Sequence, residues 1–262
     1  MIVTSFWDKA RAVVSAKIPT IGYGSSERAL EAEVLRTQFS DIGLDYEMAR
    51  LRTQGVLSEF GLTRSDTSLH YELFSAIAGK TSPERILEIG TFRGEFSAFL
   101  GALFPDAYVE TWDLPSNPQS KMSSYGEEFS QNYSDQSKTR LNNLERFSNV
   151  SQVLQDSTYL IESSEPFDLI WIDGDHTFPV VAFDILNCLR LSTAQSWIVL
   201  DDVKLAERRE WNMGSTETLK CLNHLANTGI AVYSLIYKRI GQSGRAWRDV
   251  ESRKHLAVLR KT

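Results

Sequence analysis

The chain has 262 residues, of which 42% are hydrophobic and 24% charged, and its formal net charge is −6. This composition is typical of a soluble globular protein, with enough chain for one α/β domain and an appendage. The acidic balance argues against a nucleic-acid or anionic-membrane partner, and no apolar run approaches the ~20 residues that span a bilayer.

The N-terminal sequence MIVTSFWDKARAVV does not resemble a signal peptide, because charged residues interrupt its apolar part. The two cysteines, Cys188 and Cys221, lie in helical patterns and lack the spacing of a metal finger. We therefore expect reduced thiols and a cytoplasmic protein.

Residues 1–64 lack strong strand patterns. Helices are predicted over residues 27–38 and 46–60, with a turn between them. Their apolar residues cannot form much of a core alone, so these helices need another surface to pack on. We interpret residues 1–64 as a helical extension or lid and residues 65–262 as the main domain.

From residue 65 onward, strand and helix patterns alternate. Strands are predicted over residues 85–89, 107–114, 150–155, 167–172, 196–200, 230–240 and 255–261. Helices are predicted over residues 68–79, 95–104, 137–147, 178–191 and 215–227. The alternation predicts a Rossmann-like α/β fold, in which a mostly parallel sheet has helices on both faces. Ligands of such sheets bind beyond the carboxyl ends of the strands.

The segment ILEIGTFRGEFS, residues 86–97, has the pattern of a strand, a glycine-bracketed turn and the start of a helix. Gly90 permits a tight turn, and Gly94 lets the helix approach a ligand that its free N–H groups can bind. The dinucleotide pattern G-x-G-x-x-G is not met, because Phe92 stands at the place of its second glycine. A nucleoside without phosphates is therefore favoured.

Three acidic residues accompany this turn. Asp113 ends the second strand and could accept both ribose hydroxyls, and Asp156 ends the third and could receive an adenine amino group. Each could instead cap a helix or lie in a solvated turn. Glu88 lies inside the first strand, where a carboxylate needs hydrogen-bond partners.

A second group of acids follows two other strands. Asp173 ends FDLIWI, and Asp201 and Asp202 end SWIVL. If these strands are neighbours, three like charges converge and need a cation, and oxygen ligands suit Mg²⁺ or Ca²⁺. The alternative is that the acid pair caps the next turn. His176, three residues after Asp173, could deprotonate a metal-bound hydroxyl or could be structural.

The ordered set LEIGTFRGEFS, FDLIWIDGDHTF and WIVLDDV resembles class I S-adenosylmethionine-dependent methyltransferases. It is most similar to their metal-dependent O-methyltransferase branch and to the bacterial family called methyltransferase domain 24. The resemblance covers about residues 68–262. It implies a seven-stranded sheet of order 3-2-1-4-5-7-6, with one antiparallel strand among the last two, and S-adenosylmethionine as the cofactor.

The resemblance also implies roles for particular residues. Asp173, Asp201 and Asp202 match the family's metal ligands, and His176, supported by Asp173, matches the general base. Asp175 has no counterpart and is expected to be supporting or solvent-facing. The implied cofactor residues are Glu88, Gly90, Thr91, Phe92, Gly94, Ser97, Asp113 and Asp156.

The predicted activity is methyl transfer to a hydroxyl of a small molecule, with Mg²⁺ or another divalent cation holding the acceptor oxygen. Chelation favours adjacent oxygens, as in a vicinal diol of a sugar, glycan or natural product, or in a catechol. Two alternatives stay open, an NAD(P)-binding Rossmann oxidoreductase and a non-catalytic S-adenosylmethionine-binding protein.

Other segments are assigned more loosely. Basic and Trp residues of the loops 203–214 and 240–250 would face the acceptor, or belong to solvated loops. The helical extension and the polar loop 115–137 would cover the cofactor or form the contact of a homodimer.

Overall fold

The computed structural model describes residues 25–64, 67–115, 133–206, 216–240 and 253–262. The strands are β1 (Arg85–Ile89), β2 (Tyr108–Asp113), β3 (Val150–Leu154), β4 (Phe167–Ile172), β5 (Ser192–Lys204), β6 (Ala231–Tyr237) and β7 (Lys254–Lys261). The helices are α1 (Ser25–Asp41), α2 (Tyr46–Glu59), α3 (His70–Ile77), α4 (Glu95–Leu103), α5 (Tyr133–Leu144), α6 (Val180–Arg190) and α7 (Glu217–Asn227). A 3₁₀ helix covers Ser157–Glu162.

The strands form a seven-stranded sheet in the order β3-β2-β1-β4-β5-β7-β6, which confirms the predicted topology. Strands β1 to β5 pair in parallel, whereas β7 is antiparallel to both β5 and β6. The chain moves outward from β1 through β2 and β3, and then returns to β4 on the other side. This change of direction opens a crevice at the carboxyl ends of β1 and β4, where such sheets bind ligands.

Both faces of the sheet are covered by helices, because its central strands are apolar along almost their whole length. The largest side chain of β4, Trp171, is 1% exposed and contacts the rings of Phe74 and Phe96 on one face. On the other face, Ile185 of α6 and Leu222 of α7 pack into a second cluster. The predicted helical layers are thereby confirmed.

The described part of the N-terminal extension packs directly on the sheet. Leu35 and Phe39 of α1 are fully buried in the same core as the central strands. In addition, the Gln38 side-chain oxygen accepts a hydrogen bond from the Tyr237 backbone N–H at 3.1 Å. The domain boundary after residue 64 stays a prediction, and residues 1–24 lie outside the described chain.

Strand β5 and helix α5 differ most from the sequence prediction. Strand β5 was expected over residues 196–200 but spans Ser192–Lys204, because β4 pairs with its polar start and β7 with its polar end. Helix α5 begins at Tyr133, inside the segment predicted as a loop, whose residues 116–132 lie outside the described chain. Among the described residues, the helices are too short or too polar to cross a bilayer.

Substitution of Gly90 tests the close contact between the ends of β1 and β4 at the crevice. Its φ is 103°, and a Cβ at this position would lie 2.2 Å from the Asp173 carbonyl oxygen. Gly90→Ala would strain the turn and push the ends of two strands apart, so we expect the free energy of unfolding to fall by at least about 3 kcal/mol. Urea unfolding measures this loss.

Gly229→Ala is the matched control. Gly229 also has a positive φ, 72°, but a Cβ there would meet no atom within 4 Å. Only backbone strain opposes this substitution, at about 1–2 kcal/mol. Equal losses in the two variants would contradict a specific contact between Gly90 and Asp173.

Candidate active site

A pocket lies at the carboxyl ends of the strands β1 to β4. Its lining consists of Ile89, Gly90, Trp112, Asp113, Leu114, Gln155, Asp156, Ser157, Gly174, Asp175, Val180 and Asp184. Three predicted cofactor residues, Gly90, Asp113 and Asp156, therefore share one pocket although they follow three different strands. The pocket coincides with the crevice that the sheet order creates.

The glycine turn is held in place by its neighbours. Phe92 has a φ of 48°, and its backbone N–H donates to Oδ2 of Asp113 at 3.1 Å. Gly94 has a φ of 70° and precedes α4, and a Cβ there would lie 3.2 Å from the Arg140 carbonyl oxygen. The turn thus requires glycine at both ends. Gly90 is needed because the chain after β4 passes close to it, and Gly94 because α5 does.

Asp113 carries more partners than the sequence suggests. Besides the Phe92 N–H, its Oδ2 accepts from Nη1 of Arg140 at 2.7 Å, and its Oδ1 accepts from the Leu114 backbone N–H at 2.8 Å. A carboxylate has about four acceptor positions. A ribose at Asp113 would therefore share the carboxylate with Arg140, which sequence reasoning missed.

For Asp156, the structure supports the capping alternative without excluding the predicted role. Its Oδ1 accepts from the backbone N–H and the hydroxyl of Thr158, at 2.9 and 2.7 Å, and so caps the 3₁₀ helix. The same residue lines the pocket. The cap fixes the orientation of the carboxyl group at the pocket wall.

Three other predicted cofactor residues lie beneath the turn. Glu88 is 1% exposed, and its Oε2 accepts hydrogen bonds from the hydroxyls of Ser97 and Thr111. The Thr91 hydroxyl lies 2.6 Å from that of Thr111. Burial raises the pKa of Glu88 to about 7, although both hydroxyl donors oppose the rise. Glu88, Thr91 and Ser97 therefore support the turn from below and are not among the residues that line the described pocket.

Asp201 and Asp202 lie where β5 departs from regular strand geometry. The pairing with β7 shifts between Leu200 and Val203, and Asp202 has a φ of 52°. Consecutive residues of a regular strand point to opposite faces of the sheet. The irregularity allows both carboxylates to reach one cation, Lys238.

Two lysines that the sequence analysis missed bind these acids. Nζ of Lys238 lies 2.5 Å from Oδ2 of Asp201 and 2.6 Å from Oδ1 of Asp202. Nζ of Lys254 lies 2.5 Å from Oδ2 of Asp202. The available signal was their position, since Lys238 directly follows β6 and Lys254 begins the antiparallel β7, at the same sheet edge as the acids.

These contacts determine the charge of the cluster. Burial alone would raise the pKa of Asp201, but the Lys238 ammonium, together with Asp173, His70 and His176, outweighs burial and lowers the pKa. Burial alone would lower the pKa of Lys238, but the carboxylates around it raise the pKa. The groups are thus held as ion pairs, in which each charge compensates the desolvation of the other.

Asp173 and His176 lie beside this cluster on its more open side. Nε2 of His176 is 3.4 Å from Oδ1 of Asp173, whose side chain is 34% exposed. Burial of the carboxyl group and the nearby Asp201 charge raise the pKa of Asp173. For His176, burial alone would lower the pKa, but Asp173, Asp201 and Asp202 reverse the shift and raise it. An imidazole next to a carboxyl group can accept and orient a proton.

Asp175, which was expected to be supporting or solvent-facing, fixes the turn after β4 and also lines the pocket. Its Oδ1 accepts from the Thr177 backbone N–H at 2.9 Å and from the Thr177 hydroxyl at 2.6 Å. These bonds shape the turn between β4 and α6, which carries His176.

The predicted metal site is not confirmed. Within the described ranges, no three His, Cys, Asp or Glu side chains form a group that could hold an ion. Asp173, Asp201 and Asp202 do gather, but three of the oxygens of Asp201 and Asp202 already contact ammonium groups. A divalent ion would have to enter beside two positive charges or displace them. As arranged, these residues do not fit Mg²⁺.

Most of the residues predicted to face the acceptor lie in two segments outside the described chain. Residues 207–215 and 241–252 lie outside the described chain. They include Arg208, Arg209, Trp211, Arg245, Trp247 and Arg248.

One further pocket residue, Asp184 of α6, was missed. It is fully buried, and neither carboxyl oxygen has a hydrogen bond of ordinary geometry, although the Ser157 hydroxyl is near. Burial raises the pKa of Asp184 to about 7, with Asp156 adding to the rise and Ser157 opposing it. The available signal was an acid on the buried helix face that also carries Val181 and Ile185.

Asp184 makes stability depend on pH. Its pKa rises from 3.8 to about 7 on folding, so the folded protein binds the extra proton and loses stability as pH rises through that window. Asp184→Asn keeps the shape but does not titrate. We expect its stability relative to the parent to increase by up to about 4 kcal/mol between about pH 4 and pH 8, as measured by urea unfolding.

Asp106→Asn, at an exposed turn, controls for the loss of one negative charge. A difference between Asp184→Asn and the parent that stays constant across this pH range would show that Asp184 does not titrate in this way.

Comparison with known proteins gives the same fold. Residues 87–203 match the model of a family described as Methyltransferase domain. No curated protein matches the chain.

Three solved structures are similar over most of their length. Cofactor-bound Rv0187 from MTB is 20% identical, with a TM-score of 0.54, and the match covers 91% of this chain and 99% of that one. The O-methyltransferase from Bacillus cereus, in complex with SAH, is 19% identical, with a TM-score of 0.52 and coverage of 90% and 99%. The O-methyltransferase TomG from Streptomyces achromogenes, in complex with SAM, is 19% identical, with a TM-score of 0.51 and coverage of 87% and 96%.

Proposed function

Because residues 87–203 belong to a methyltransferase domain family and the chain has the class I S-adenosylmethionine-dependent fold, we propose that it methylates a hydroxyl group of a small molecule. One observation supports this proposal most. A pocket lined by Gly90, Asp113 and Asp156 lies at the same sheet edge as the proton-accepting pair Asp173 and His176. Cofactor and acid–base groups would thus meet at one place.

In this proposal the pocket holds the nucleoside of S-adenosylmethionine. The glycine turn ends in the N-terminus of α4, which offers N–H donors to a carboxylate such as that of the methionine part. Asp113 would receive the ribose hydroxyls beside Arg140, and Asp156 the adenine amino group. Phe92 makes the turn unsuitable for the close approach of a pyrophosphate.

His176 would act as the general base. Its Nε2 faces Asp173, so the N–H of the neutral imidazole points there and the Nδ1 lone pair takes the acceptor proton. The acceptor oxygen then forms a bond to the methyl carbon while the carbon–sulfur bond breaks and its electron pair stays on sulfur. The products are a methyl ether and S-adenosylhomocysteine, with the proton on His176.

For the acceptor we propose a vicinal diol of a sugar, glycan or natural product, with a catechol or other phenol as the alternative. Asp173 and His176 offer two neighbouring polar groups that can form hydrogen bonds with adjacent hydroxyls. Transfer to oxygen is further supported by TomG, an O-methyltransferase involved in tomaymycin synthesis, and by the O-methyltransferase from Bacillus cereus. The Mg²⁺ requirement predicted from the sequence is not part of this proposal, because Lys238 and Lys254 neutralise two of the three expected ligands, Asp201 and Asp202.

The cellular compartment, the oligomeric state and the partners of the enzyme remain proposals from the sequence. Both cysteines are free thiols, as expected of a protein in the reducing cytoplasm. A homodimer remains the proposed assembly, without a nucleic-acid or membrane partner.

Calorimetry with two cofactors separates the methyltransferase from the oxidoreductase. We expect S-adenosylhomocysteine to bind with a Kd of about 1–100 µM and NAD⁺ to show no saturable binding. Asp113→Ala should weaken the binding of S-adenosylhomocysteine, because the ribose loses its acceptor. The reverse preference, for NAD⁺, would overturn the proposed function.

Substitution of the proposed base tests the chemical step. With an acceptor identified from catechols, glycosides and nucleotide sugars by labelled methyl transfer, His176→Ala should lower turnover by ~10²–10⁴-fold while the cofactor Kd is retained. His224→Ala, on the exposed face of α7, is the matched control. Full turnover in His176→Ala would exclude His176 as the base, and cofactor binding without methylation of any acceptor would favour the non-catalytic alternative.

A further inference from the structure

We infer that Lys238, assisted by Lys254, takes the place of a divalent cation at the acid cluster, so that methyl transfer by this chain requires no metal ion. The claim that methyl transfer requires no metal ion rests on the proposed function. The binding of metal ions by the protein can be measured without it.

The charges of the cluster are balanced within the chain. Asp201 and Asp202 contribute two negative charges, and Lys238 and Lys254 contribute two positive charges, with contacts of 2.5 to 2.6 Å between them. Lys238 bridges both acids in the way that a shared cation would. The repulsion between Asp201 and Asp202 is therefore already relieved, and among the described residues Asp173 is the one acid of the predicted metal site that no lysine contact balances.

Lys238 is fixed by its backbone as well as by its charge. Its carbonyl oxygen accepts from the Leu69 N–H at 2.8 Å, and its N–H donates to the Lys254 carbonyl oxygen at 3.1 Å. Its side chain is only 7% exposed. A surface lysine could turn away to admit an ion, but this one would have to leave a buried position and break two charge-assisted hydrogen bonds.

The coordination chemistry of Mg²⁺ makes such an exchange unfavourable. The ion needs near-octahedral oxygen ligands at about 2.0–2.1 Å. Three of the four carboxylate oxygens of Asp201 and Asp202 already contact Lys238 or Lys254, and the fourth, Oδ1 of Asp201, has no hydrogen-bond partner in the described part of the chain. An ion bound at these oxygens would lie within a few ångströms of two ammonium groups. The carboxylates of Asp201 and Asp202 are therefore better matched by the two lysines than by Mg²⁺.

Lys238 is therefore a positioning residue. It holds Asp201 and Asp202 in a neutral cluster, and Asp173 and His176 face that cluster instead of two unbalanced carboxylates. Acceptor deprotonation then depends on this pair alone.

The first test uses the parent protein after exhaustive chelation and removal of the chelator. Mn²⁺ is titrated while free Mn²⁺ is followed by electron paramagnetic resonance, and Mg²⁺ is titrated in a calorimeter. We expect no saturable binding of either ion in the millimolar range. One bound Mn²⁺ per chain that is lost in Asp201→Asn would overturn the inference.

The second test removes the internal cation. Lys238→Met leaves Asp173, Asp201 and Asp202 with Lys254 alone, so we expect the variant to gain Mn²⁺ binding and to melt at a higher temperature when Mn²⁺ is present. Lys220→Met, at an exposed position of α7, should gain neither property. A folded Lys238→Met protein that binds no Mn²⁺ would contradict the inference, and if the variant does not fold, the titration of the parent protein decides.

Turnover provides the third test once an acceptor is known. The chelated parent should retain its rate within about twofold, whereas a metal-activated enzyme would lose nearly all of it. Failure to bind S-adenosylhomocysteine would overturn the proposed function but would leave the metal titrations valid. The two ideas can therefore fail separately.

Discussion

The parallel pairing of β1 with β4 is the constraint from which the geometry of the site follows. Ile89 pairs with Ile172, and the Asp173 N–H donates to the Ile89 carbonyl oxygen at 2.8 Å. The next residue of β1 is Gly90, whose missing side chain lets the two chain segments touch. The glycine turn after β1 and the segment after β4 are therefore parts of one backbone contact, and neither can shift without the other. We call the second segment, with Asp173 and His176 and the neighbouring Asp201, Asp202, Lys238 and Lys254, the acid–base rim. A site built in this way meets its ligands with little reorganisation, which is what transfer between two bound molecules requires.

The buried ion pairs of the acid–base rim cost desolvation free energy, and packing alone gives no reason for their presence. Buried ion pairs seldom stabilise a fold more than apolar side chains of the same volume would, because both partners lose hydration. A cluster of two acids and two lysines at a strand end is therefore better explained by chemistry than by stability. Its neutrality leaves the partly exposed Asp173 and His176 as the groups that would face an acceptor in the proposed reaction.

Strands that are buried on both sides could be predicted to the residue, as Arg85–Ile89 and Phe167–Ile172 were, because their apolar runs end where burial ends. The length of strand β5 could not be predicted, since its polar ends are held by pairing with β4 and β7 and not by apolar burial. The acids at the strand ends were predicted from position, and the strand order from the family resemblance. Lys238 and Lys254 were missed because their contacts with Asp201 and Asp202 depend on the shift in β5–β7 pairing between Leu200 and Val203, which no pattern in the sequence indicates. The Thr111 and Arg140 contacts depend on side-chain packing, which no spacing in the sequence reveals.

The N-terminal helix has a bearing on the rim although it belongs to the extension. Gln38 of α1 is bonded to Tyr237, and Glu31 of α1 forms an ion pair with Arg253, so the helix clasps the residues immediately before Lys238 and Lys254. Arg253 also stacks on the Tyr237 ring, 4.5 Å from its centroid. A shortened protein that starts at the sheet would keep every residue of the pocket yet lose this clasp. Trimming the chain to residues 65–262 would therefore remove one support of the two lysines, although their ion pairs and backbone hydrogen bonds would stay. The extension is better regarded as a structural wall of the proposed active site.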